Sequence, residues 1–320
     1  MKAIIFDNEV KLVDLDKPTP KQGEALIKTK MVGICNTDYE ITKGYMGYKG
    51  VLGHEFVGVV ESVGDSKDSS WIGKRVVGEI NLGCNNCEWC AKGLARHCPN
   101  RQTLGIWHKD GCFSEYFTLP VSNLLEVPDS VEDSEAVLVE PIAAACEILE
   151  QVHIKPMDKV ALLGDGKLGL CVAAVLNAVN VDLTHIGKHK EKLDISKSFG
   201  SKTLMLNEIN GLEGSFDIVI EATGSTGGFE TSVNLTKPRG TLILKSTIAA
   251  KEGLNLAGVV VNEITIVGSR CGQFKPALKL MQDKKIDVKK LVSDIYPKDK
   301  MLEAFVANTK KDKIKVVIEF

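Results

Sequence analysis

Four of the nine cysteines, Cys84, Cys87, Cys90 and Cys98, fall in the stretch GCNNCEWCAKGLARHC with the spacing C-x2-C-x2-C-x7-C. Paired Cys-x-x-Cys steps set thiolates on tight turns at the separation that tetrahedral zinc–sulfur bonding requires, and Gly83, Asn85 and Asn86 suit those turns. In a reducing compartment a metal is favoured over disulfides. An iron–sulfur run has a similar beginning, and a proline follows Cys98 here as it does there, but its fourth cysteine comes sooner. The spacing predicts a structural zinc, closed by four sulfurs. Such a site leaves unexplained Cys35 in GICNTD, His54 and Glu55 in VLGHEFVG, and Glu140 in LVEPIAAAC.

A second chemistry is written in VALLGDGKLGL. Gly164, Gly166 and Gly169 form G-x-G-x-x-G, with Leu168 inside it, between an apolar strand and a helical stretch. Glycines there let a pyrophosphate approach the helix N-terminus, so the turn is expected to bind a dinucleotide. An NAD site usually ends its next strand with an acid that takes the ribose hydroxyls. Here that position is Gly187, followed by Lys188, His189 and Lys190. The expectation is open space and cations for a 2′-phosphate, hence NADP(H), with NAD(H) as the alternative.

The elements that must hold these residues divide the chain. Up to about Pro128, short strands broken by Gly, Asp and Pro (GEALIKTKMVGIC, EFVGVVESVG, KRVVGEI) indicate a β-barrel-type domain. From Lys159 apolar strands alternate with helices (KVALLG, VDLTHIG, FDIVIEATG, GTLILKS), the pattern of βαβ units on a parallel sheet. The last strand, KIKVVIEF, is expected to return to the first domain. The expected division is residues 1–142 with 268–320, carrying the lobe 83–100, and residues 143–267. Composition is that of a soluble protein: 44% hydrophobic residues, 26% charged, formal net charge −2. That balance speaks against nucleic-acid and polybasic membrane partners. Asp7 comes too early for a signal-peptide core, and no apolar run approaches the roughly 18 residues of a membrane span, so a cytoplasmic protein is expected.

The order G-I-C-x-T-D, G-H-E-x-x-G, four-cysteine lobe, E-P and Gly-rich turn resembles the zinc-containing alcohol dehydrogenases of the medium-chain dehydrogenase/reductase family over essentially the whole chain. The resemblance implies an α/β protein: a GroES-like catalytic domain, a Rossmann domain, a catalytic zinc in the cleft between them, and a homodimer or homotetramer. It implies two zincs per chain, the catalytic one on Cys35, His54 and Glu55, the structural one on Cys84, Cys87, Cys90 and Cys98. Glu140 stands where a second zinc cysteine is common, as in the polyol, threonine and sugar dehydrogenase branch. A zinc with one thiolate and two carboxylates would carry net −1, so only one of Glu55 and Glu140 is expected to bind at a time. Thr37 matches the hydroxyl of the family's proton relay, and Glu40 replaces the histidine often found at its outer end. The implied activity is hydride transfer between NADP(H) and a small secondary alcohol or polyol, or its carbonyl. The alternatives are an NAD-dependent sugar or amino-acid alcohol dehydrogenase and a non-catalytic nucleotide-binding protein.

Overall fold

Runs of Val, Ile and Leu that alternate or cluster between glycines pair into two large sheets, described for residues 1–247 and 253–320 in a computed structural model. The chain forms two units, Met1–Glu140 with Val292–Phe320 and Pro141–Leu291. Among the described residues no helix is long and apolar enough to cross a membrane.

The first unit is built on a seven-stranded sheet in the order Leu124–Glu126, Arg75–Gly78, Glu55–Val63, Glu24–Gly33, Lys315–Glu319, Val292–Pro297, with Tyr116–Pro120 also paired to Glu24–Gly33. Its inward positions, among them Ala25, Ile27, Val32, Val57 and Val317, are fully buried. Register fixes what matters for chemistry: Gly33 lies opposite Glu55 on one side and opposite Val317 on the other. Cys35 therefore stands two residues past the end of one central strand, His54 immediately precedes its neighbour, and Lys315 begins the third.

The second unit carries six parallel strands in the order Lys202–Met205, Asp182–Gly187, Lys159–Leu163, Phe216–Glu221, Thr236–Leu244, Thr265–Gly268. This is the doubly wound Rossmann order, with its switch point beside Lys159–Leu163, where such sheets bind ligands at the strands' C-terminal ends. The return to the first unit lies at Val292, not at residue 268 as the sequence reading had it. The helix Phe274–Gln282 buries Phe274, Ala277, Leu278 and Met281, one apolar stripe, within the second unit. Lys245, itself buried, donates to the carbonyls of Ala144 and Arg270 at 2.7 and 2.8 Å and fastens that segment to the Rossmann sheet.

One buried imidazole braces the glycine turn. His185 Nε2 lies 2.9 Å from the Gly164 carbonyl, which can only accept, so Nε2 carries the proton and Nδ1 accepts from the Ser196 hydroxyl at 2.7 Å. Burial pushes this histidine below its ordinary pKa. Unfolded, it titrates near about 6.5. The unfolded chain thus binds the proton first, and the stabilisation present above that pH is lost as pH falls through the lower folded pKa. Thermal melts should show the midpoint falling from about pH 6.5 downward, with a shallower slope in His185→Gln.

Candidate metal centres and dinucleotide turn

The four-cysteine lobe has the dimensions of a metal site. Cys87 Sγ lies 3.6 Å from Cys90 Sγ and 3.7 Å from Cys98 Sγ, and Cys98 Sγ lies 3.5 Å from Cys84 Sγ. None of these is a disulfide. Four sulfurs at about 2.3 Å from one zinc stand about 3.8 Å apart along a tetrahedron's edges, close to what is seen. The short helix Glu88–Ala91 starts at Cys87, and Asn85 takes a left-handed φ of 58° that turns the chain between the first two thiols. The Cys84 amide and its neighbours pull the Cys98 thiol down to about 7, toward the thiolate a metal requires.

The second group gathers Cys35, His54 and Glu55, whose ligand atoms lie within 4.8 Å of one another. Cys35 caps the helix Asn36–Thr42, and its amide donates to Asp38 Oδ2 at 2.8 Å. The other oxygen of Asp38 lies 3.4 Å from His54 Nδ1, both atoms buried and without a hydrogen bond. An orphaned carboxylate–imidazole pair behind a thiol is the arrangement in which a metal on the ring's other nitrogen would complete the site, the acid orienting the ring. Burial disfavours a charged His54, but Asp38 and Cys35 outweigh it and hold its pKa well above the usual value. Metal binding there must therefore displace a proton. Thr37 Oγ1 lies 3.6 Å from Cys35 Sγ.

Glu55 is held from behind. Lys315 Nζ donates to its two oxygens at 2.7 and 2.5 Å and to the Ile34 carbonyl at 3.3 Å, with Lys315 and Glu55 both buried. The carboxylate lies over Gly33, where a Cβ would collide with Glu55 Oε2. Two further candidates stand apart from these ligand atoms. Glu140, half-buried in the first turn of the helix Val139–Gln151, is not among the converging ligand atoms, as expected if only one of Glu55 and Glu140 binds at a time. Glu40 is exposed and paired with Lys43 at 2.9 Å, one helical turn along, so it lies on the outer face of its helix. Sequence reading passed over Asp38 and Lys315. The first was visible as the D of GICNTD; the second had no local signal.

In the dinucleotide turn, the helix Lys167–Ala178 starts at Gly166 without a side-chain cap, the kind of helix start that receives an anion. A Cβ on Gly169 would strike the Gly164 carbonyl, whereas one on Gly166 would meet nothing within 4 Å. Leu168 is half-buried in the first turn. The expected open space above Gly187 is absent: a Cβ there would meet Asp165 Oδ2 at 2.5 Å. That oxygen accepts from the amides of Lys188 and His189, each at 2.6 Å, and His189 Nδ1 lies 3.1 Å from both carboxylate oxygens. Burial would raise the Asp165 pKa, but these donors outweigh it and hold the acid below its ordinary value. Lys190 is paired with Asp194 at 3.2 Å.

Known proteins resemble the chain throughout. Residues 21–129 match the family described as "Alcohol dehydrogenase GroES-like domain", and residues 134–320 match "Glucose dehydrogenase C-terminus". The starvation-sensing protein RspB of Escherichia coli K12 is 30% identical over 86% of this chain and 85% of its own length. The sorbitol dehydrogenase of Bacillus subtilis is 27% identical over 95% and 92%. The crystal structure of the rspB alcohol dehydrogenase of E. coli CFT073, complexed with NADH, is 27% identical and superposes over 100% of this chain and 99% of its own with a TM-score of 0.92.

Two outcomes follow from the geometry. Cys90→Ser should lose about one zinc equivalent per chain and melt earlier, measured by metal analysis and calorimetry, because a closed site loses a thiolate. Lys315→Met leaves the Glu55 carboxylate buried without its cation, and denaturant titration should register a loss of about 3–5 kcal/mol.

Proposed function

We propose that this chain, which belongs to the zinc-containing medium-chain alcohol dehydrogenase family, oxidises a secondary alcohol or polyol, or reduces the matching carbonyl, with a nicotinamide dinucleotide. The observation that carries the reading is the convergence of Cys35, His54 and Glu55 with the Thr37 hydroxyl beside the cysteine sulfur. Three donors of mixed type, unlike four thiolates, leave a coordination position for substrate. When bound, zinc supplies a Lewis acid for the substrate oxygen and the dinucleotide supplies a hydride acceptor.

The chain's own groups do the rest. Asp38 orients His54 through the ring nitrogen facing it, and Lys315 holds the Glu55 carboxylate against the barrel. Thr37 Oγ1 accepts the alcohol proton and passes its own on; Glu40, engaged with Lys43, takes no part. A polyol is favoured over a simple alcohol because the relatives include the sorbitol dehydrogenase. For the cofactor, the NADP(H) expectation loses its footing with the space above Gly187, and the rspB relative carries NADH. Structural zinc in the cysteine lobe, a cytoplasmic setting and a homo-oligomer belong to the same reading. The last is supported by exposed Val260 and Val261 near the edge strand Thr265–Gly268.

The test is metal analysis combined with turnover on a panel of pentitols, hexitols and secondary alcohols. Cys35→Ser should abolish oxidation while dinucleotide binding persists, since the glycine turn lies in the other unit. Thr37→Val should lower kcat by about 100- to 10,000-fold, the span of positioned acid–base catalysis. Turnover of Thr37→Val at the wild-type rate would remove the hydroxyl from the proton path.

A further inference from the structure

We propose that Asp165, the first variable residue of the glycine turn, is the cofactor-selecting acid of this protein and makes it favour NAD(H) over NADP(H). This rests on the reading of the turn as a dinucleotide site and deepens it. The strand Asp182–Gly187 ends without an acid of its own, and the carboxylate of Asp165 occupies the space above its last residue. An adenosine ribose brought to that strand end meets a negative charge that comes from the turn instead of from the strand.

Three features of this carboxylate exclude a 2′-phosphate. It fills the volume. It takes the donors such a phosphate would use, the amides of Lys188 and His189 and the His189 ring, while Lys190 is paired with Asp194. And it carries like charge toward a group of nearly two negative charges at neutral pH. To admit the phosphate, Asp165 must turn out of a nine-tenths-buried position and leave both amides behind. A ribose diol asks for none of this. Asp165 Oδ2 is saturated by two amides and the His189 ring, whereas among the described residues Oδ1 has only the His189 ring at 3.1 Å and keeps acceptor capacity for a hydroxyl. The clamp of two amides and an imidazole makes the acid rigid, as a selecting group must be.

Calorimetric titration of the full-length protein with NADH and NADPH, and with ADP-ribose and its 2′-phosphate, tests this without turnover. Wild type should bind the unphosphorylated ligand of each pair at least about tenfold more tightly, a difference of about 1.4 kcal/mol. Added salt should narrow that gap by screening the repulsion, whereas a cationic phosphate site would show NADPH weakening steeply with salt. Asp165→Asn should bring the two affinities within about threefold, chiefly by tighter NADPH, and the ratio of kcat/KM values should move with them. Wild type binding NADPH as tightly as NADH overturns the proposal, as does an unchanged ratio in folded Asp165→Asn. Should that variant not fold, the wild-type ratio and its salt dependence decide alone. Preferential NADH binding with no alcohol turned over would uphold Asp165 and remove the dehydrogenase reading. Binding of neither dinucleotide would overturn the proposal.

Discussion

A carboxylate and an ammonium buried against each other, Glu55 and Lys315, tie together the end of the barrel that carries the candidate metal ligands. Either charge alone in that interior would cost several kcal/mol, so neither residue can be placed without the other. The pair also crosses three adjacent strands, because Gly33 sits between Glu55 and the C-terminal strand in the sheet. A chain that leaves the barrel to build a second unit must therefore come back in register, and Lys315 is the residue that registers the return. The pair restates the charge problem of the metal as well. One thiolate and one carboxylate already neutralise a divalent ion. With Lys315 on Glu55, that carboxylate contributes little net charge, and the centre keeps the electrophilic character a polarising metal needs.

The two candidate metal centres use opposite logic within one unit. The lobe draws four like ligands from sixteen consecutive residues, and its geometry is local: turns, a left-handed Asn85, a four-residue helix. The other draws unlike ligands from the end of one strand and the start of the next, braced by Asp38 in a helix and Lys315 far along the chain. Local construction gives a closed, stiff site. Assembly from several elements gives one whose ligands can be held at unequal strength, as catalysis at an open metal position requires.

The same contrast decides what the sequence disclosed. Cysteine spacing and the glycine turn are short-range patterns, and the structure has the sulfurs near tetrahedral separations and the turn between strand and helix. Barrel followed by doubly wound sheet was readable from the change in apolar periodicity. The Glu55–Lys315 pair was not, since its members stand 260 residues apart and a lysine in KIKVVIEF looks like any solvated charge. The late return at Val292 was hidden for a related reason: the stripe of Phe274–Gln282 announces a buried face but not which core receives it. Glu140 and Glu40 were read by position in a motif: the first is not among the three converging ligand atoms, and the second, read as the outer end of a proton relay, is exposed and paired with Lys43.

Glu55 and Asp165 share a construction that explains why the space expected above Gly187 is filled. Each carboxylate lies over a glycine at the end of a neighbouring strand, Gly33 for one and Gly187 for the other, and in both cases a Cβ on the glycine would collide with a carboxylate oxygen. Read along the chain, such a glycine is a missing side chain and suggests vacant space. Read across the sheet, it is the space that another element's acid requires. At Gly187 the space left by the missing strand-end acid is occupied by an acid that comes from the turn. The acid and its glycine are coupled, since adding a side chain at the strand end drives the carboxylate out and removing the carboxylate uncovers two amides. An empty position in a motif is evidence about ligand space only once the neighbouring strand ends have been accounted for.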